Sequence, residues 1–180
     1  RLRSFDMNYD PPGHEDEPWY QVVEGVGYNY NFTDLQAALG RVQLGRIDDF
    51  KRRRDEIVDQ YDEAFEDVAG LETPQVKDDV DPMFHLYVVE VHEAKFGCDR
   101  RTFVEAMHEE NIGVQVHYVP LHHHPYFQQE HGYEVGDYPV ANDVYEHVVS
   151  LPLFPEMTCE DVDDVIRAVR RLRAHLLETD

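Results

Sequence analysis

Residues 33–70 constrain this chain more than any other stretch. No proline occurs between Pro18 and Pro74. Within that interval Leu35, Leu39, Val42, Ile47, Phe50, Ile57, Tyr61, Phe65 and Val68 recur at gaps of mostly three or four residues, or their sum. That spacing lines one face of a helix. Thr33 or Asp34 can cap its start, and Gly70 followed by Pro74 ends it. The spacing therefore predicts one helix over 33–70, about 50 Å long at 1.5 Å per residue. Gly40 and Gly45 each weaken it locally by roughly 1 kcal/mol relative to Ala. A helix with one apolar face must pack against something else.

Beyond Pro74 the chain alternates between strand and helix signals. His85–His92 (HLYVVEVH) is rich in β-branched and aromatic residues and reads as a strand. Asp99 caps a helix running to about Glu110. Val114–Tyr118 and Val148–Leu151 read as two further strands, separated by a His- and Tyr-rich loop (120–137) and a short helix over 140–146. Thr158 caps a last amphipathic helix through Leu177. Three strands among helices predict a small α/β sandwich, its sheet covered on one face. Ahead of the long helix, residues 6–26 read as irregular around the breaker cluster DPPGHEDEP.

Charge bounds the partners. Of 180 residues, 38 are acidic and 16 basic, giving a formal charge of −22. Such a chain lacks the Lys and Arg that face nucleic-acid phosphates or anionic membranes. The acid is spread along the whole chain, and only Lys51, Lys77 and Lys95 represent lysine. Diffuse acid with scarce lysine fits a protein adapted to high salt, where a Debye length of about 3 Å at 1 M screens self-repulsion. Two cysteines, Cys98 and Cys159, provide neither a disulfide framework nor a zinc knuckle. No apolar run approaches the roughly 18 residues of a membrane span. These features point to a cytoplasmic setting. Because the chain opens at Arg1 on what reads as a helix end (RLRSF), it is expected to be a piece of a longer protein.

Two constellations carry candidate chemistry. GYNYNFTDLQAALG (27–40) places Gly27, Asn29 and Asn31 before a helix N-terminus, where orphan N–H groups and the helix dipole favour a phosphate. An ordinary loop and cap is the alternative. VHYVPLHHHPY (116–126) clusters imidazoles and phenols after a strand end, suited to substrate or interface contacts or to a plain surface loop. In an extended segment His122 and His124 would point the same way, as two metal ligands do, but no HExxH or CxxC partner accompanies them, and no metal is assigned.

At these residues the sequence resembles the DegT/DnrJ family of pyridoxal-phosphate-dependent sugar aminotransferases. The likeness rests on GYNYNFTDLQAALGRVQLGRIDDFKRRR, HLYVVEV, NIGVQVHYVPLHHHPYF, GYEVGDYPVAN and VVSLPLFPEMTCEDVDDVI, in the family's order from Arg1 to about Ala168. It implies the C-terminal part of a fold-type I homodimer. Residues 1–32 would end the large cofactor-binding domain, 33–70 would form a long interface helix, and 71–180 a small α/β domain. It further implies that Asn29 and Asn31 contact the phosphate of pyridoxal 5′-phosphate, Asn31 standing where most members carry Arg. His85, His117, Tyr118 and His122 match positions near a nucleotide-sugar substrate. An amino-acid donor, glutamate in the family, completes the reaction. The lysine that carries the cofactor would lie upstream of Arg1, and none of Lys51, Lys77 and Lys95 stands in its motif, so this chain alone is expected to be inactive. The family's R-x-H-G is absent; Asp6–Tyr9 read DMNY. A non-catalytic binding or dimerisation module, and a His-based metal protein, are the competing readings.

Overall fold

A computed structural model describes residues 5–8, 11–26 and 32–179. Asn29 and Asn31 therefore lie outside the described residues. The chain divides into two compact units, Arg1–Ile47 and Asp48–Asp180.

In the first unit, β1 (Phe5–Asn8) and β2 (Val22–Val26) form an antiparallel ribbon. Asp6 pairs with Gly25 and Met7 with Val23, so Glu24 is an extra residue and the ladder bulges there. The stretch predicted as irregular thus contains two strands, with the breaker cluster as the turn region between them. Helix α1 (Asp34–Leu44) follows. Thr33 is its N-cap: Thr33 Oγ1 accepts from the Gln36 N–H, and Gln36 Oε1 accepts from the Thr33 N–H at 3.0 Å.

The helix expected to run unbroken over 33–70 is two helices. A turn at Gly45–Arg46 separates α1 from α2 (Ile47–Phe65), with the Gly45 N–H donating to Arg41 O and the Arg46 N–H to Gln43 O. Glycine is a poor helix former, and α1 buries none of its residues, so no packing offsets that weakness.

The second unit is built on an antiparallel sheet of order β3–β4–β5, comprising Leu71–Glu72, Tyr87–Val91 and Val148–Leu151. The strand predicted over 114–118 is a single bridge: Gln115 exchanges two backbone bonds with Ser150 on the free side of β5. The other elements are α3 (Glu93–Phe96), α4 (Arg100–Glu109), α5 (Pro125–His131), α6 (Pro139–His147) and α7 (Cys159–Thr179). The predicted loop over 120–137 therefore contains α5, begun by Pro125 at its first position, and 3₁₀ turns at Leu121–His123 and Val135–Asp137.

Alternation in β4 organises the core. Tyr87, Val89 and Val91 are buried, whereas Val88 and Glu90 are half-buried on the opposite face. The core face meets Ile57, Val58, Tyr61 and Phe65 of α2, Phe103 and Met107 of α4, and Val162, Val165 and Val169 of α7. Helix α6 packs against β4, and all four residues of β5 are buried, so the sheet is covered more fully than the predicted single layer. Polar ties hold the edges. The Tyr61 hydroxyl donates to Pro152 O at 3.0 Å, Arg53 Nη2 to Met157 O at 2.7 Å, and Arg54 Nη1 to Phe84 O at 2.8 Å. Gly70 makes the turn into β3 at φ +83°, where a Cβ would stand 2.2 Å from the Phe96 backbone nitrogen.

Candidate functional site

The Val116–Tyr126 segment and α6 line an open cavity of about 730 Å³, floored by Val88 of β4 and Val148 of β5. Its walls are apolar through Pro120, Val140 and Val144, with His117, Tyr118, Asp137, Tyr138 and Tyr145 supplying polar edges and rings. A pocket of this size, mostly apolar with a few polar groups, suits a small organic ligand. Tyrosines combine a flat apolar face with a hydroxyl that donates or accepts.

His117 is half-buried, with Nδ1 2.8 Å from Ser150 Oγ. The Gln115–Ser150 bridge two residues earlier fixes its position, so the loop leaves the sheet with the imidazole anchored. The Tyr118 ring meets it edge-on at 4.7 Å between centroids and remains 76% exposed. Opposite, the Arg100 guanidinium donates to Tyr145 O and lies 4.6 Å from the Tyr145 ring centroid, a cation–π contact that orients this wall.

His122 occupies a different kind of position. It is 5% exposed and does not line the cavity. Asn142 Nδ2 donates to Val135 O at 2.5 Å, which turns Asn142 Oδ1 toward the histidines. His122 and His123 each place Nε2 2.7 Å from that oxygen, so both donate there. The Gln128 side chain donates to His122 O at 3.0 Å. This hub pins the 3₁₀ turn and α5 to α6, the cavity's wall. His124 instead reaches Val119 O at 3.3 Å. The extended geometry that would have aligned His122 with His124 is absent, because the segment is helical. His85 is exposed in the bend before β4, its carbonyl accepting from Arg54 Nη1 at 3.2 Å, and it too stands outside the cavity lining.

Of the described candidates, the structure thus brings His117 and Tyr118 together at one cavity. Tyr138, Tyr145 and Asp137 were missed by sequence reasoning. The available signal was weak: Pro139 at the first position of α6, with Val140 and Val144 four residues apart on one face.

The three lysines bear on covalent chemistry. Lys51 Nζ lies 2.7 Å from both Asp55 and Asp81, and those two hydrogen-bonded carboxylates raise its pKa. Its amine is thereby held charged. Lys95 lies within α3 and Lys77 sits in the loop before β4, and neither lines the cavity.

The architecture is that of the fold-type I aminotransferases. It is similar to the aminotransferase TlmJ from Streptoalloteichus hindustanus, with a TM-score of 0.72 at 27% identity over 88% of this chain and 41% of that one. It is also similar to PseC of Helicobacter pylori, an aminotransferase involved in the biosynthesis of pseudoaminic acid, with a TM-score of 0.77 at 26% identity over 97% of this chain and 44% of that one. Residues 6–170 match the model of the DegT/DnrJ/EryC1/StrS aminotransferase family, and the chain belongs to that family. The spore coat polysaccharide biosynthesis protein SpsC of Bacillus subtilis is 50% identical over 153 residues, 84% of this chain and 39% of SpsC. The uncharacterized protein MJ1066 of Methanocaldococcus jannaschii is 42% identical over 154 residues, 86% of this chain and 40% of its own length. The chain thus spans about two-fifths of the curated relatives it matches.

Proposed function

We propose that this chain is the C-terminal part of a cytoplasmic, pyridoxal-phosphate-dependent aminotransferase that moves an amino group from glutamate to a keto-sugar nucleotide. The carrying observation is the cavity beside His117 and Tyr118, formed by the segment that resembles the family's substrate region. Its apolar floor takes the carbon face of a sugar, and His117, Tyr118, Tyr138 and Tyr145 meet its oxygens. His122 serves as a positioning residue, holding the loop through Asn142.

The fit to the cofactor is divided. Lys51 is tied to two carboxylates and is a poor nucleophile, and Lys77 and Lys95 stand apart from the cavity, so this chain does not fit the cofactor's carbonyl end. At the phosphate end, the family resemblance assigns Asn29 and Asn31 as donors just ahead of the α1 N-terminus, where first-turn amides favour an anion. When bound, the cofactor supplies the electron sink that lets an amino group change hands. This chain positions the sugar and binds phosphate across a homodimer interface. The exposed Leu35, Leu39, Val42 and Leu44 of α1 support such an interface.

The test uses the longer polypeptide in molar KCl with bound cofactor. Adding L-glutamate shifts the visible absorption band into the near-ultraviolet, and a keto-sugar nucleotide restores it while an amino sugar appears by mass spectrometry. No spectral response to any amino acid, or no aminated sugar from a panel of keto-sugar nucleotides, ends this reading. A non-catalytic dimerisation module is the second reading, motivated by the absence of the family's cofactor-lysine motif among Lys51, Lys77 and Lys95; a stable dimer of the longer polypeptide with no cofactor uptake would select it. The acidic surface is proposed to suit high salt, so the thermal midpoint rises as KCl is raised toward molar concentrations. A midpoint that falls would contradict this.

A further inference from the structure

At the β3–β4 edge, apart from the cavity, two carboxylates face each other with no described lysine or arginine paired to either. Glu72 and Glu90 are direct cross-strand partners. Like charges so placed destabilise a ladder. Among the described residues no Lys or Arg forms an ion pair with either. His92, two residues beyond Glu90, stands on the same face of the strand. Its backbone N–H donates to Gly70 O at 2.8 Å, tying it to the rigid turn that enters β3.

The His92 imidazole points between the carboxylates. Nε2 lies 3.4 Å from Glu72 Oε1 and 3.6 Å from Glu90 Oε2. That nitrogen is shielded from solvent and makes no hydrogen bond. The ring is backed by His147, 4.7 Å away between centroids, whose own Nδ1 is 2.7 Å from Asp143 O. One donor atom from each of Glu72, Glu90 and His92 lies within 4.8 Å of the other two.

We propose that Glu72, Glu90 and His92 bind a divalent cation of the zinc type. A tetrahedral ion with bonds of about 2.0–2.1 Å sets its ligand atoms about 3.3–3.4 Å apart. The two nitrogen-to-oxygen separations are close to that edge. A nitrogen with two carboxylate oxygens suits Zn²⁺ or Co²⁺ better than Ca²⁺ or Mg²⁺, which take oxygen ligands. The ion would neutralise the opposed carboxylates, occupy the shielded nitrogen, and cross-link β3 to β4. Three protein ligands leave a fourth position for water.

The test is a titration of the untagged, chelator-stripped full chain with Zn²⁺ and with Co²⁺. Molar KCl suppresses diffuse cation binding by the acidic surface. The expected result is one saturable equivalent, with Co²⁺ giving the intense visible bands of a tetrahedral site. His92→Asn and the more exposed Glu72→Gln each weaken binding by at least about tenfold, the loss seen even for supporting groups around a metal. Asp79→Asn, on an exposed loop, leaves binding unchanged. Should His92→Asn misfold, Glu72→Gln alone decides. Absence of a saturable equivalent would show His92 to be only a neighbour of the two glutamates and would overturn the proposal. So would Glu72→Gln binding as well as the parent.

Discussion

Helices α1 and α2 carry the same three-and-four spacing of apolar residues and meet opposite fates. In α2, Ile57, Val58, Tyr61 and Phe65 are buried in the core. In α1 nothing is buried; Leu35 is 83% exposed and Leu39 63%. Burying such a side chain gains roughly 1.5–3 kcal/mol. Periodicity therefore states that a face needs covering, and it leaves open which surface covers it. For α2 the cover is this chain's own sheet and α7. For α1 the proposed cover is protein outside this chain.

The sharpest way to break that contrast is to truncate an equivalent apolar residue in each helix. Phe65→Ala opens a cavity in a fully packed site and should cost about 3–5 kcal/mol, read from the denaturant midpoint in molar KCl. A loss below about 1 kcal/mol would mean the α2 face is less packed than described.

A smaller effect is expected where α2 meets β4 through polar atoms. The Tyr87 hydroxyl donates to Asp62 Oδ1 at 2.6 Å. Tyr87→Phe removes the donor from a carboxylate that water can still reach and should cost about 0.5–1.5 kcal/mol in the same assay. Asp62 then sharpens the point through pH. Burial, chiefly, holds its pKa above the ordinary 3.8, with the Tyr87 bond opposing and the Asp59 charge adding. The folded state therefore binds this proton more tightly than the unfolded state. Its stabilising contribution is complete below the unfolded pKa and is lost as pH rises through the folded one. Asp62→Asn removes that loss, so its stability relative to the parent should improve from acid to neutral pH. An unchanged difference would contradict the raised Asp62 pKa.

The smallest effect is expected in α1. Leu39→Ala should change the stability of this chain by no more than about 0.5 kcal/mol. In the longer polypeptide the same change should weaken dimerisation, measured by sedimentation at falling concentration. A large loss in the chain alone would show that the α1 face is covered from within.

Much of the second unit was legible because its signals were local and mutually consistent. Asp99 does cap α4, accepting from the Thr102 N–H at 2.8 Å, and Thr158 with Asp161 opens α7. Val148–Leu151 is β5, and the run ending at His92 contains β4. Where signals conflicted, tertiary context decided. Val114–Tyr118 has strand composition, but with Gly113 before it and Pro120 after it only Gln115 reaches the sheet. The break at Gly45 turned on whether packing would offset a weak residue, which no spacing reveals. The β1–β2 ribbon was hidden by the long breaker cluster between its strands. His117 and Tyr118, singled out by the motif they share, do line the cavity. Tyr138 and Tyr145 were not singled out, because they approach the cavity only once α6 packs against β4. Glu72 was unremarkable in an acidic chain until the strand register set it opposite Glu90.

On the proposed reading, this chain holds a sugar-binding pocket but not the group that carries the cofactor. The decisive experiment is amino transfer from glutamate to a keto-sugar nucleotide, measured side by side for this 180-residue chain and for the longer polypeptide, each with added pyridoxal phosphate. Amino sugar is expected from the longer polypeptide and none from this chain. Turnover by this chain alone, or none by either, would contradict that reading.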